Sequence, residues 1–292
     1  MISKEVEKHL SGYFGKKVKI KSSGVLGGGC INNASKVETN AGTFFLKWNS
    51  DSAPYIFIRE AESLKELKKA AAGLLVIPEV YGAKEVNDTP GFLILEYLKP
   101  GISFAGNDEN LGRGLATLHQ FTNDRFGFYN DNYCGSTPQD NFWKKSWVEF
   151  FRDNRLRYLL DLIQEKNPLP SREINIYEKL IDNITELLPS ESTPVIIHGD
   201  LWSGNFMDTE KGPALIDPAS YYADREMEMA IMTMFGGFSN RFYSAYEEVS
   251  PLPADWRSRN RLYQLYHVLN HYYLFGGSYR NQALNIATYY VG

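Results

Sequence analysis

Two short stretches hold the residues best placed to do chemistry together. One is His198-Gly199-Asp200-Leu201-Trp202-Ser203-Gly204-Asn205, and the other is Ile216-Asp217-Pro218. Asp200, Asn205 and Asp217 offer two carboxylates and an amide oxygen. A strand end, a tight loop and a returning strand would aim all three at one place. Such a donor set suits a hard cation such as Mg2+, whose shell is completed by water and phosphate oxygens. The carboxylate not committed to metal is free to orient or deprotonate a hydroxyl nucleophile.

Further upstream, Thr43-Phe-Phe-Leu-Lys-Trp48 carries a lysine in an apolar strand pattern. Period-two alternation puts Lys47 on the face of Phe45, where an ammonium needs a partner. Glu60, early in the next helix, supplies one, and such a pair can hold an ammonium against nucleotide phosphates. Ahead of it, Gly27-Gly28-Gly29-Cys30-Ile31-Asn32-Asn33 joins two strands. Glycines let a hairpin tip bring its backbone N–H groups close to phosphates, so Gly28 and Gly29 are candidate nucleotide contacts. Cys30 sits at that tip, where the same N–H groups favour a thiolate. Oxidation, as a Cys30–Cys30 link between two chains, is the expected switch there. Downstream, Glu96, Tyr97 and Leu98 end an apolar strand, and the backbone groups of Glu96 and Leu98 can meet an adenine edge.

The elements that must position these groups fall into two parts. Residues 1–98 read as a helix over the first dozen residues and strands over 18–23, 31–39 and 43–48. A helix over 58–72 and strands over 79–86 and 92–97 follow. Ile58, Ala61, Leu64 and Leu67 make the apolar stripe of that second helix. Lys99-Pro100-Gly101 breaks the chain. Most of 99–292 then reads as helical, for example over 107–120, 141–164, 172–188, 224–236 and 256–275. The two short apolar runs 195–200 and 213–218 read as buried strands. A sheet-rich part joined to a helical one leaves a cleft, where ligands commonly bind.

Composition narrows the class. Among 292 residues, 43% are hydrophobic and 23% charged, as in ordinary globular proteins. A net charge of −4 and a pI of about 5.8 argue against a nucleic-acid binder. No apolar run reaches the length of a membrane helix, and the opening MISKEVEKHL has no apolar core of a secretory signal. Two cysteines build neither a disulfide framework nor a zinc site. A cytoplasmic location is expected. His198 reads as a residue that orients its loop. His267 and His271 are spaced as one helical turn, but no third metal ligand is evident, so they read as packing.

The order of these features resembles a protein-kinase-like fold: glycine hairpin, strand lysine, helix glutamate, interlobe segment, Asp200/Asn205 loop and Asp217. HGDLWSGN and IDP point away from protein kinases and resemble the small-molecule kinases that include aminoglycoside and choline kinases. Within that group the chain resembles the fructosamine kinase (ketosamine-3-kinase) family. The likeness runs through GGGCINNASKVETNAGTFFLKWN, FGFYNDNYCGSTPQDNFWKKSWVEFF, HGDLWSGN, DPASYYADREMEMAIMTMFGGF and LYQLYHVLNHYYLFGGSYR.

That resemblance implies an α+β, two-lobed fold, with a small five-stranded antiparallel lobe over 1–98 and a larger, mostly helical lobe over 99–292. It implies ATP and Mg2+ as cofactors. The acceptor would be a ketosamine, free or on a protein, phosphorylated on its sugar 3-hydroxyl so that the adduct becomes unstable and the amine is freed. Carried over by position, Asp200 is the general base, Asn205 and Asp217 hold Mg2+, and Lys47 paired with Glu60 holds phosphates. Glu96-Tyr97-Leu98 lines the nucleotide base. Trp202 and Asp224, with Tyr221, Tyr222 and the aromatic helix over 263–275, are expected on the acceptor side. The alternatives are an aminoglycoside- or choline-type kinase, or a silent pseudokinase that binds a partner.

Overall fold

The computed structural model describes residues 2–27, 32–101 and 106–292. Gly28, Gly29 and Cys30 lie outside the described residues, so the expected phosphate loop and its thiol switch have no structural description. The N-terminal part consists of α1 (Ile2–Phe14), β1 (Ile20–Leu26), β2 (Asn33–Thr39), β3 (Thr43–Asn49), α2 (Ile56–Ala70), β4 (Val80–Lys84) and β5 (Gly91–Glu96). The strands form one antiparallel sheet in the order β1-β2-β3-β5-β4.

Alternation along β3 divides its side chains between two environments. Phe44 and Leu46 join Phe92 and Ile94 of β5 in an apolar cluster covered by Val6 and Leu10 of α1. Phe45 and Lys47 take the opposite face, toward the cleft. On that side Phe57, Leu64 and Leu67 of α2 pack with Leu93 and Leu95. This packing continues without a break to Leu111 and Leu115 of the helical part. α2 therefore belongs to the large core as much as to the sheet, which anchors Glu60 firmly.

The remaining elements are α3 (Gly106–Leu118), β6 (Asn132–Cys134), β7 (Thr137–Gln139), α4 (Trp147–Phe150), α5 (Tyr158–Lys166), α6 (Ser171–Asp182) and α7 (Ile184–Leu187). They continue with β8 (Val195–Ile197), β9 (Phe206–Thr209), β10 (Gly212–Leu215), β11 (Tyr221–Ala223), α8 (Glu226–Met234), α9 (Asn240–Val249), α10 (Trp256–Phe275) and α11 (Tyr279–Val291). α3 packs on α9, and α10 on α8 and α11. Gly112 makes the first contact close, since a Cβ there would lie 2.3 Å from the Phe242 carbonyl oxygen. Among the described residues, no helix is long and apolar enough to cross a membrane.

Two expectations change. The helix expected over 141–164 begins only at Trp147, where Ser146 Oγ accepts the Glu149 N–H, and residues 151–157 form a π-helix. Arg155 lies within this widened stretch. Its buried guanidinium donates to the carbonyls of Asp140 (2.7 Å) and Asn154 (2.9 Å), and it lies 3.9 Å from the Tyr221 ring centroid. Backbone carbonyls and an aromatic face thus satisfy the buried cation. The second change concerns the two apolar runs. β8 pairs with β11 and β10 with β9, so the runs do not pair with each other. Loops, rather than a single returning strand, gather the three polar residues.

The β9–β10 hairpin also joins the two parts. Val76 N–H donates to the Pro213 carbonyl (2.8 Å), Leu215 N–H to that of Val76 (3.0 Å), and Gly101 N–H to that of Asp208 (2.9 Å). These bonds tie the hairpin to the segments that lead into β4 and out of β5.

Candidate active site

Lys47 reaches from β3 into the cleft between two carboxylates. Its Nζ lies 3.0 and 2.9 Å from the oxygens of Glu60 and 3.1 Å from Asp217 Oδ2. Burial opposes the charge on Lys47, but Glu60 and Asp217 outweigh it and hold the ammonium above its ordinary range. Burial pushes Glu60 upward, Lys47 draws it down, and Asp217 pushes it up again. One cation therefore serves two anions, and Asp217 is the more exposed of the two.

The loop after β8 is held from beneath. Glu228 of α8, fully buried, accepts the backbone N–H groups of His198 and Gly199. Gly199 has φ +83°, and a Cβ on it would sit 2.2 Å from the Ala219 carbonyl oxygen, so only glycine fits. The His198 ring takes the Nε2–H form. It donates to the Ile216 carbonyl (2.8 Å), while its Nδ1 accepts the Asp200 N–H (3.3 Å). Burial keeps the ring neutral by lowering its pKa. His198 thereby ties the Asp200 loop to the residue before Asp217, which itself adopts φ +55°.

Asn205 Nδ2 donates to the Asp200 carbonyl (2.8 Å) and to Asp200 Oδ2 (3.1 Å). Asp200 is pushed up to about 8, first by burial, then by Glu228, with Asp217 adding and Asn205 opposing. A carboxyl so raised suits a general base whose ionised form is favoured by added positive charge. Because Asn205 Nδ2 is committed to Asp200, its Oδ1 is the atom left for a cation. With the exposed carboxylate of Asp217 this makes an all-oxygen donor set that fits Mg2+.

These residues line one cleft of about 850 Å³, together with Phe45, Glu60, Glu96, Tyr97, Leu98 and Trp202. Glu96 uses its N–H on the Glu79 carbonyl (2.8 Å) and its carboxylate on Lys211. Its N–H is therefore not available to an adenine. Trp202, partly exposed, lines the same cleft and stands edge-on to Phe235 with ring centroids 6.0 Å apart.

Three residues expected on the acceptor side are placed elsewhere. Asp224 is buried, accepts from Ser192 Oγ (2.7 Å) and caps the Glu226 N–H (2.8 Å). Tyr221 is buried beneath Arg155, and Tyr222 donates to Glu66 (2.8 Å). The wall there is built by His271 and Phe275 of the expected aromatic helix, together with Phe235 and Tyr279, and buried Cys134 and Asn270 also line it. Burial pushes the Cys134 thiol up.

Cys134 sits in a hairpin clamped by amides. Asn132 Nδ2 donates to the Ser220 carbonyl (2.8 Å), and Asn132 Oδ1 accepts from Gln139 and Asn141 (both 2.8 Å). The clustering of Asn and Gln between 130 and 141 was the available signal for a rigid insert. Glu228 had a fainter one, an acid within the otherwise apolar run Met227–Met232.

Comparison with known proteins shows which family the chain falls in. The chain is 39% identical over 284 residues to the chloroplastic protein-ribulosamine 3-kinase of Arabidopsis thaliana, covering 95% of this chain and 85% of that one. It is 36% identical over 299 residues to the ketosamine-3-kinase of Mus musculus, covering 91% and 94%. A crystal structure from Haemophilus somnus 129PT, named provisionally as a fructosamine-3-kinase, superposes with a TM-score of 0.87 at 28% identity. That match covers 98% of this chain and 97% of that one. The sequence model of the fructosamine kinase family matches residues 2–291, and the chain belongs to that family.

Proposed function

We propose that the protein is an ATP-dependent kinase that phosphorylates the 3-hydroxyl of ketosamines, the adducts of amines with ketose sugars, and so releases the amine. The observation that carries this reading is the meeting of the Lys47–Glu60 pair, Asp217 and the Asp200–Asn205 loop in one cleft.

Lys47 holds the phosphates of the nucleotide, kept in place by Glu60. The Glu96 carbonyl and the Leu98 backbone meet the adenine edge beside Tyr97. Asn205 Oδ1 and Asp217 would hold Mg2+, which supplies charge neutralisation between phosphate oxygens. Positive charge at Asp217 also favours the ionised form of Asp200. Asp200 then takes the proton of the sugar hydroxyl as that oxygen attacks the terminal phosphorus and ADP leaves. Trp202 and the aromatic wall pack against the sugar and its cationic amine.

Incubation with ATP and Mg2+ against fructoselysine, ribuloselysine, an aminoglycoside and choline tests the proposal. Expected is a 3-phosphate from a ketosamine that decays to free lysine. Transfer to choline or the aminoglycoside with none to either ketosamine overturns it, as does nucleotide binding without transfer to any acceptor.

A further inference from the structure

The Asp200 carboxylate also belongs to a second set of donors, of a different chemical kind. One donor atom each from Cys134, Asp200 and His267 lie within 4.8 Å of one another. His267, in the middle of α10, is 1% exposed, and neither ring nitrogen has a hydrogen-bond partner among the described residues. A buried imidazole with both nitrogens unsatisfied is costly and calls for a ligand. The expected companion, His271, turns its Nδ1 to the His267 carbonyl (2.7 Å) and its ring to the aromatic wall.

We propose that Cys134, His267 and Asp200 form a binding site for a thiophilic divalent ion of the Zn2+ class, and that an ion bound there silences the kinase by occupying Asp200. Sulfur, imidazole nitrogen and carboxylate oxygen are the donors zinc takes. Three protein donors leave the fourth tetrahedral position open, here toward the cleft that Cys134 and Asp200 line. Around zinc, bonds of about 2.0–2.3 Å place donors about 3.3–3.8 Å apart. The trio closes to that geometry by shifts of about 1 Å, the scale of side-chain adjustment.

Asn270 Nδ2 lies 3.3 Å from Cys134 Sγ and supports a thiolate. Mg2+ does not compete for this site, since it selects all-oxygen donors such as Asn205 and Asp217. Binding replaces the Cys134 S–H bond with a sulfur–metal bond, and the proton leaves to solvent. No group changes oxidation state.

Silencing rests on the reading of Asp200 as proton acceptor, whereas binding does not. An ion on Asp200 removes the lone pair that the sugar hydroxyl needs. Inhibition is therefore competitive with the acceptor and not with Mg-ATP.

The test uses the full chain, freed of metal and held in excess Mg2+. Titration with Co2+ should give a thiolate-to-cobalt charge-transfer band that saturates at one equivalent. The band should vanish in Cys134→Ser and persist in Cys30→Ser. Zn2+ should protect Cys134 from alkylation in the wild-type chain, read by mass spectrometry, which needs no variant to fold.

With each protein normalised to its own metal-free rate, Zn2+ should inhibit Cys134→Ser and His267→Ala about tenfold less effectively, or worse, than wild type. Absence of the band, its survival in Cys134→Ser, or unprotected Cys134 overturns the site. A band with unaltered phosphorylation overturns the silencing. If no ketosamine is phosphorylated at all, the functional proposal and the silencing fall together, while the spectrum still decides the site.

Discussion

Glu228 accepts the backbone N–H of Gly199 at 3.1 Å, beneath the loop that presents Asp200. The same carboxylate takes the His198 N–H, so one buried side chain holds the two successive residues that lead into Asp200. It also places a like charge near Asp200 and raises its pKa. Glu228→Gln should therefore act in two ways. Loosened placement of Asp200 should lower kcat by about 10²-fold while the KM for ATP changes little. Loss of the like charge should move the acid limb of the pH–rate profile to lower pH. A uniform loss of activity with an unmoved limb would mark Glu228 as a folding residue only.

Asp200 itself gives a pH-dependent signature in stability. Its folded-state value, about 8, lies above the ordinary 3.8. Ionisation is thus easier in the unfolded chain. The stability associated with this group is complete below the ordinary value and is lost as pH rises from there through the folded value. Asp200→Asn, which cannot ionise, should melt like wild type near about pH 4 and progressively higher than wild type toward about pH 8. Its kcat should fall by roughly 10²–10⁴ with ATP binding nearly intact. Near wild-type turnover, or a melting difference that ignores pH, contradicts the assignment.

Lys47 bridges Glu60 and Asp217, and breaking a buried pair by removing one member leaves the other charge uncompensated. Lys47→Met should cost about 3 kcal/mol of stability, reduced where Glu60 can take up a proton. The double variant Lys47→Met/Glu60→Leu should recover most of that stability without recovering activity, since the phosphate contact is still missing. Urea unfolding beside a turnover assay separates the two. Activity in the double variant would show that Lys47 has a structural role alone.

What could be read from the sequence was what depends on local pattern. Alternation in β3 was enough to pair the face of Lys47 with that of Phe45, and helical spacing brought Glu60 opposite. The polar spacing from Asp200 to Asn205 and the short run to Asp217 was enough to group three donors. Relationships made only by distant packing were not legible. Glu228 lies under a loop 29 residues earlier in the chain. Arg155 is held in the core by the Tyr221 ring and the Asp140 carbonyl, which lie far from it in the chain. Asp224 was misplaced although a local signal existed: an aspartate two residues ahead of a helical glutamate reads as a cap, and Asp224 caps the Glu226 N–H. His267 was set beside His271 by spacing, while its nearest donors come from a hairpin and a loop.

Trp202 provides the sharpest separation of the two ends of the cleft. Its ring is 39% exposed and packs over Gly204, where a Cβ would come within 2.3 Å of it. It is linked through Phe235 to His271 and Tyr279, with centroids 6.0, 5.4 and 5.1 Å apart in turn. The segment from Leu201 to Met207 carries no carboxylate, so aromatic faces must supply attraction for a cationic amine there. Such a contact contributes about 0.5–2 kcal/mol. Trp202→Ala should accordingly raise the KM for a ketosamine by about 2- to 30-fold and leave the KM for ATP unchanged. Trp202→Phe keeps a π face and should recover part of the loss, which mere removal of bulk would not predict. The rise should shrink for an acceptor whose amine is acylated, because no cation is then left to meet the ring. Equal increases in both KM values would place Trp202 outside the acceptor site and return the recognition of the sugar to His271 and its neighbours on α10.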